Sequence, residues 1–185
     1  MKKLFLSVAL VLVSLAASAQ AFKKYSLAAE DFAGCTYSVV RQDSTNNPQK
    51  FLNAKQWLSR TFPDYKDIVQ FEDAANGKIV IKGLLPVEYI LDNDNINITY
   101  HPTLHFVFTI DVKQDRYRLK FDDMEVEVVR QERSPLGVRE KKLTYLLADF
   151  VAQFQKRDSP RMYVSAAITD FLNSAVASIE VVDDF

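Results

Sequence analysis

Between Leu104 and about Val129 apolar and polar side chains alternate, the period of two that marks a half-buried strand. A two-residue turn at Gln114-Asp115 folds this stretch into a hairpin. Val112 then faces Tyr117, Ile110 faces Leu119 and Phe108 faces Phe121 on one side; Asp111 faces Arg118 and Thr109 faces Lys120 on the other. A slip of one residue would turn the whole apolar set outward, so the register is strongly specified. After Phe121 the apolar positions change from odd to even, at Met124, Val126 and Val128. One extra residue at Asp122-Asp123, a β-bulge, restores a common apolar face. The polar face then runs from a basic row, Arg116, Arg118 and Lys120, to an acidic one, Glu125 and Glu127. A solvated sheet face accounts for it.

The same reading extends along the chain. Cys35 to Arg41 alternates and predicts a first strand. Asn47-Pro48 starts a helix, with a capping side chain followed by proline in the first turn. Phe51, Ala54, Trp57, Leu58 and Phe62 carry its apolar face up to Pro63. Asp67–Glu72 and Lys78–Lys82 predict two short strands joined by a turn at Asn76-Gly77, where positive φ is tolerated. The third strand frays into an insertion over residues 84–103. Leu143, Leu146, Leu147, Phe150, Val151 and Phe154 fall on one helical stripe. After "RDSP" a second stripe runs from Val164 through Ile168, Phe171, Leu172 and Ala175 to Ile179. The fold class is therefore α+β: an antiparallel sheet of about five strands, in the order β-α-β-β-β-β-α, with helices on one face and a C-terminal helical pair over about 141–179.

The N-terminus changes the picture by setting the compartment. Lys2 and Lys3 precede an apolar run from Leu4 to Ala17, and both Ala17-Ser18-Ala19 and Ala19-Gln20-Ala21 fit a cleavage site. Residues 1–19 read as a secretory signal peptide, too short for a membrane span. They are followed by a lead-in over 20–34 and a single domain over 35–185. The expected mature N-terminus is Gln20, with Phe22 second, in a periplasmic or extracellular protein. Phe32-Ala33-Gly34-Cys35 has the look of a lipobox, but charged residues separate it from the apolar run, so no lipid anchor is expected. Cys35 is the only cysteine, which rules out an internal disulfide and reads as an inert, packed thiol. Without Lys2 and Lys3, 21 basic residues stand against 24 acidic ones, a formal charge of −3. That balance speaks against a nucleic-acid binder.

Two stretches, "IVQFEDAANGKIVIKG" and "FTIDVKQDRYRLKFDDMEV", resemble the DUF4468 domain, an uncharacterised family of secreted bacterial proteins described as having a TBP-like fold. The resemblance covers about residues 35–130. Its most specific pieces are Gly77-Lys78-Ile79 and Asp115-Arg116-Tyr117-Arg118. It implies a fold and a compartment; it brings no activity, cofactor or catalytic residue.

Catalytic motifs are weak. His101 and His105 are separated by Pro102 and would lie roughly 13 Å apart on an extended strand, too far to share a metal. "DNDNIN" at 92–97 lacks the glycine and closing glutamate of a calcium loop and reads as a polar turn. Asn97-Ile98-Thr99 fits a glycosylation sequon by pattern alone. Adjacent carboxylates such as Asp122-Asp123 and Asp183-Asp184 point to opposite faces of a strand. No catalytic, cofactor or metal residue is assigned, and the sequence leans away from an enzyme. The expected function is a non-catalytic binding domain whose partner is an envelope protein, peptide or glycan. The alternative is an envelope hydrolase with a site assembled from scattered carboxylates or histidines. Residues left unexplained by the core, Tyr89, Ile90 and Leu91, are the candidate contact surface.

Overall fold

The computed structural model describes residues 34–42, 47–93, 96–134, 137–153 and 158–180. Strand β1 (Tyr37–Gln42) is followed by helix α1 (Asn47–Thr61), which starts where Asn47-Pro48 predicts and stops before Pro63. Residues read as the beginning of the next strand form instead a single helical turn, α2 (Tyr65–Ile68), leading into β2 (Val69–Asp73). Strand β3 (Lys78–Pro86) takes in Leu84 and Leu85. The 84–103 insertion resolves into the end of β3 and a separate hairpin, β4 (Tyr89–Asn93) with β5 (Ile96–Tyr100). The long hairpin follows as β6 (Thr103–Val112) and β7 (Arg116–Ser134). Then come β8 (Gly137–Leu146), α3 (Leu147–Gln153) and α4 (Asp158–Ile179).

The main sheet has the order β1-β7-β6-β3-β2, and β8 extends it by pairing with the second half of β7. All pairings are antiparallel. The central hairpin holds the register that its alternation demands: Val112 opposite Tyr117, Ile110 opposite Leu119, Phe108 opposite Phe121, and Asp111 opposite Arg118. The register shifts between His105 and Val107, opposite Asp122–Glu125, and Asp123 takes φ 51°. The bulge is therefore real, and it keeps Phe121, Met124 and Val126 all buried on one side.

Helices α1, α3 and α4 cover that side. Trp57 packs edge-on against Phe171 of α4 with ring centres 5.0 Å apart, and Phe171 also meets Phe106, Phe108 and Phe121 at 5.2–5.6 Å. Edge-to-face rings at this spacing stabilise beyond their buried area. Gly83 on β3 belongs to the same cluster, since a Cβ there would sit 2.5 Å from the Phe106 ring. Met162–Ile179 is long and apolar enough to cross a membrane by length and composition. Within the fold, however, Val164, Ile168, Phe171, Leu172, Ala175, Val176 and Ile179 are core residues.

A second expectation fails. Residues 141–146, assigned to the start of a helix, are the end of β8. Leu143 and Tyr145 turn half-buried to the core side, while Leu146 is half exposed, which a helical stripe would not allow. A Leu-Thr-Tyr-Leu run satisfies both periods locally. The extra length of β7 offers it a partner and decides for strand.

Candidate functional site

Several charged groups of the described residues hold the layers together. Arg41 and Tyr117 are cross-strand neighbours on β1 and β7, and both reach Glu180, just beyond α4. Arg41 donates from Nε and Nη2 to the two carboxylate oxygens at 3.0 and 3.1 Å, and the Tyr117 hydroxyl donates at 2.6 Å. This bidentate, charge-assisted arrangement ties the end of α4 to the sheet. The Asn53 amide donates to the Ile179 carbonyl, and the Trp57 indole donates to the Ser174 hydroxyl at 3.0 Å, fixing α1 to the same helix. At the opposite edge Glu72 accepts from Lys55 and from the Tyr65 hydroxyl. Burial, and then the Glu72 carboxylate, hold the Tyr65 phenol above its ordinary range. In the β2–β3 turn the Asp73 carboxylate accepts from the Asn76 side chain and backbone, which lowers its pKa. Each of these groups has a structural task, and among the described residues no cluster of His, Cys, Asp or Glu could hold a metal ion.

The other face of the sheet has no layer over it among the described elements. Its geometry follows from the register. On β7 the outward positions are Arg118, Lys120, Asp122, Glu125 and Glu127, and on β3 they are Lys78, Val80, Lys82, Leu84 and Pro86. Strand β6 lies between them, with Thr109 joining Lys120 to Val80, Val107 joining Asp122 to Lys82, and His105 joining Glu125 to Leu84. The bulge brings the basic and the acidic row onto one face; without it Glu125 and Glu127 would point into the core. Some charges are paired there. Arg118 bonds Asp111 through Nε at 2.9 Å, Lys120 meets Asp122 at 2.8 Å, and Lys142 meets Glu127 at 2.9 Å.

Beside this charged column stands an apolar one. Strand β3 carries Ile79 and Ile81 inward and Val80 and Leu84 outward, and Phe71 of β2 lies opposite Val80. Phe71 and Leu84 are 49% and 54% exposed. An antiparallel strand with one wet face normally alternates cleanly, and an apolar run on both faces is the mark of a strand covered on both. Residue-by-residue reading of the sequence missed this column. The signal was the run Lys78–Leu85 with Phe71 across the β2–β3 turn, but its neighbour Val107 comes from a pairing that is remote in sequence.

The sequence candidates are scattered. Tyr89, Ile90 and Leu91 begin β4, opposite Tyr100, Thr99 and Ile98, with the β4 backbone beside α4. Their side chains lie outside the described residues. His101 is exposed before β6, whereas His105 sits on the open face of β6, so they are not brought together. Asp92 pairs with Asn97 in the hairpin, and the residues between its ends, Asp94 and Asn95, lie outside the described residues. Asp183 and Asp184 lie outside them too. Cys35 has φ 53°, and its carbonyl accepts from Met124. Its half-buried thiol receives the Ala148 amide at 3.4 Å, which accounts for it as a packed residue of the sheet edge.

An antiparallel sheet with helices on one side and an open face on the other places the chain among TBP-like α+β domains. Residues 37–127 match the family described as "Domain of unknown function (DUF4468) with TBP-like fold", and across this span the chain belongs to that family. The fold is similar to that of a TBP-like protein from Parabacteroides distasonis, with 16% identity, a TM-score of 0.52, and coverage of 78% of this chain and 88% of the other. It is also similar to a DUF4468 family protein from Bacteroides ovatus, with 13% identity, a TM-score of 0.50, and coverage of 81% and 88%. At such identities the likeness concerns the fold. No curated protein matches the chain in sequence.

Proposed function

We propose that this protein is an exported, non-catalytic interaction domain that binds a protein partner of the cell envelope through the open face of its sheet. The observation that carries the reading is the open side of β3 and its neighbours, where the apolar Phe71, Val80, Val107 and Leu84 stand among Lys78 and Lys82 on the face that the helices do not cover. Phe71, Val80, Val107 and Leu84 give such a partner an apolar strip, bordered by the charges of β7. The hydrolase alternative draws no support from the carboxylates Glu72, Asp111, Asp122, Glu127 and Glu180, each of which has a cationic or phenolic partner. Nucleic acid fits poorly too, because Glu125 and Glu127 share the face with the arginine and lysine rows. Export without a lipid anchor is part of the proposal, and the residue 1–19 pattern with the charged residues between it and Cys35 supports it. The hairpin start Tyr89, Ile90 and Leu91 is a second proposed contact, at the helix side of the molecule.

The test is a double substitution, Phe71→Ser with Leu84→Ser, followed by affinity capture from envelope extracts of the native host. Because both side chains are half exposed, the melting temperature is expected to change by only a few degrees, while partner recovery falls at least tenfold. Undiminished capture would remove the open face from the interaction.

A further inference from the structure

Resting on the open face as an interaction surface, we infer that its partner is a second copy of this chain, packed sheet to sheet about a two-fold axis that runs across the strands. The outward positions form rows, and the row through Asp122, Val107 and Lys82 divides them evenly. A two-fold rotation about that row keeps each strand over its own copy and reverses its direction. On β7 the order Arg118, Lys120, Asp122, Glu125, Glu127 is then laid against its reverse. Arg118 of one copy meets Glu127 of the second, and Lys120 meets Glu125, each contact made twice. On β3 the same operation lays Val80 over Leu84, and on β6 it brings Val107 against its own copy. The four outer charges of β7 therefore complement themselves and Val80 and Leu84 cover each other, while on the axis Lys82 and Asp122, the latter bonded to Lys120 of its own chain, meet their own copies. That is what an isologous interface requires of a single patch.

The order of signs on β7 is the discriminating feature. A basic row followed by an acidic row is self-complementary only when read in opposite directions, and it lies on one face only because the Asp122–Asp123 bulge restores the phase. A partner of uniform charge would leave one of the rows facing its own sign. Distances allow the pairing: packed sheets stand about 10 Å apart, within reach of arginine and glutamate approaching from both sides. Five rows cross the three central strands, and β1, β8 and β2 flank part of them. The face therefore runs roughly 30 Å along the strands and up to about 20 Å across, of the order of the ~800 Å² per partner that a standard interface buries.

The experiment is sedimentation equilibrium on the purified protein and two charge-reversed forms. One form carries Glu125→Lys with Glu127→Lys, and the other carries Arg118→Glu with Lys120→Glu. The wild type is expected to be in a monomer–dimer equilibrium. Each variant alone is expected to associate at least tenfold more weakly, and an equimolar mixture of the two should regain dimerisation, since every reversed charge again meets its opposite. Circular dichroism of each variant checks that the monomer remains folded, so loss by misfolding is separable. A monomeric wild type at the highest soluble concentration would overturn the inference, as would a mixture no more associated than its parts. If the wild type is monomeric while Phe71→Ser with Leu84→Ser still abolishes capture of another envelope protein, the open face stands as an interaction surface and only its pairing with a second copy fails.

Discussion

Truncating Phe121 to alanine is expected to cost about 3–5 kcal/mol, the range for a buried phenylalanine that leaves a cavity. The ring is fully buried in the middle of the sheet and meets three others, with centres at 4.7 Å (Phe108), 5.2 Å (Phe106) and 5.6 Å (Phe171). Those contacts join β6, β7 and α4, so the void would open between layers that cannot close independently. Arg118, three residues earlier on the same strand, is the matched control. Its bond to Asp111 is on the open face with the guanidinium about half exposed, and exposed pairs contribute about 1 kcal/mol or less. Urea unfolding of Phe121→Ala and Arg118→Ala measures both. A larger loss at Arg118 would reverse the assignment of inner and outer faces.

The second large effect belongs to Gly77. Its φ of +65° lies in the left-handed region, and its carbonyl accepts the Val112 amide at 2.7 Å, tying the β2–β3 turn to the end of β6. A Cβ at this position would overlap the Val112 carbonyl oxygen, which is backbone and cannot rotate away. Gly77→Ala therefore carries two penalties: about 1–2 kcal/mol for the left-handed conformation and about 1–3 kcal/mol for the overlap. For a chain of this size that corresponds to a fall in melting temperature of roughly 5–15 °C. Differential scanning calorimetry reads it directly. An unchanged melting temperature would contradict the close approach of the turn to β6.

Both effects rest on features that the sequence announces locally. The β6–β7 register is legible because each residue's partner lies a short count across one turn, and because a slip would expose Phe108, Ile110, Leu119 and Phe121 together. Gly77 is legible because Asn-Gly is a turn signal in any context. Strand β8 is not. Leu143, Leu146 and Leu147 fit a helical stripe as well as an edge strand, and the choice falls to the long partner β7. The extra turn of α2 before β2 is likewise masked by residues compatible with either state.

The candidate site is less legible than the fold, for a similar reason. The row Phe71, Val80, Thr109, Lys120, Ser38 crosses five strands, and two of its four links, β3 to β6 and β7 to β1, join strands whose adjacency no local pattern reveals. Taken one strand at a time, Phe71 and Leu84 are single exposed apolar residues, which are ordinary on any surface. Only the assembled sheet puts them beside Val80 and Val107, and only the bulge sets Glu125 and Glu127 next to them. Tyr89, Ile90 and Leu91 are the more conspicuous residues in the sequence, because an apolar cluster in a loop-like segment stands out where an apolar run in a strand does not.

The central claim is that the open face of the sheet, rather than the outer surface of α1, is the principal contact in the cell. A photocrosslinking amino acid placed at Leu84 on that face, and separately at Leu52 on α1, tests it with two positions of similar exposure, 54% and 45%. Irradiation of intact cells is expected to trap a discrete protein adduct from position 84 and none from position 52. An adduct of twice the chain mass would identify a second copy. Trapping from position 52 with none from position 84 would place the contact on the helices and contradict the account.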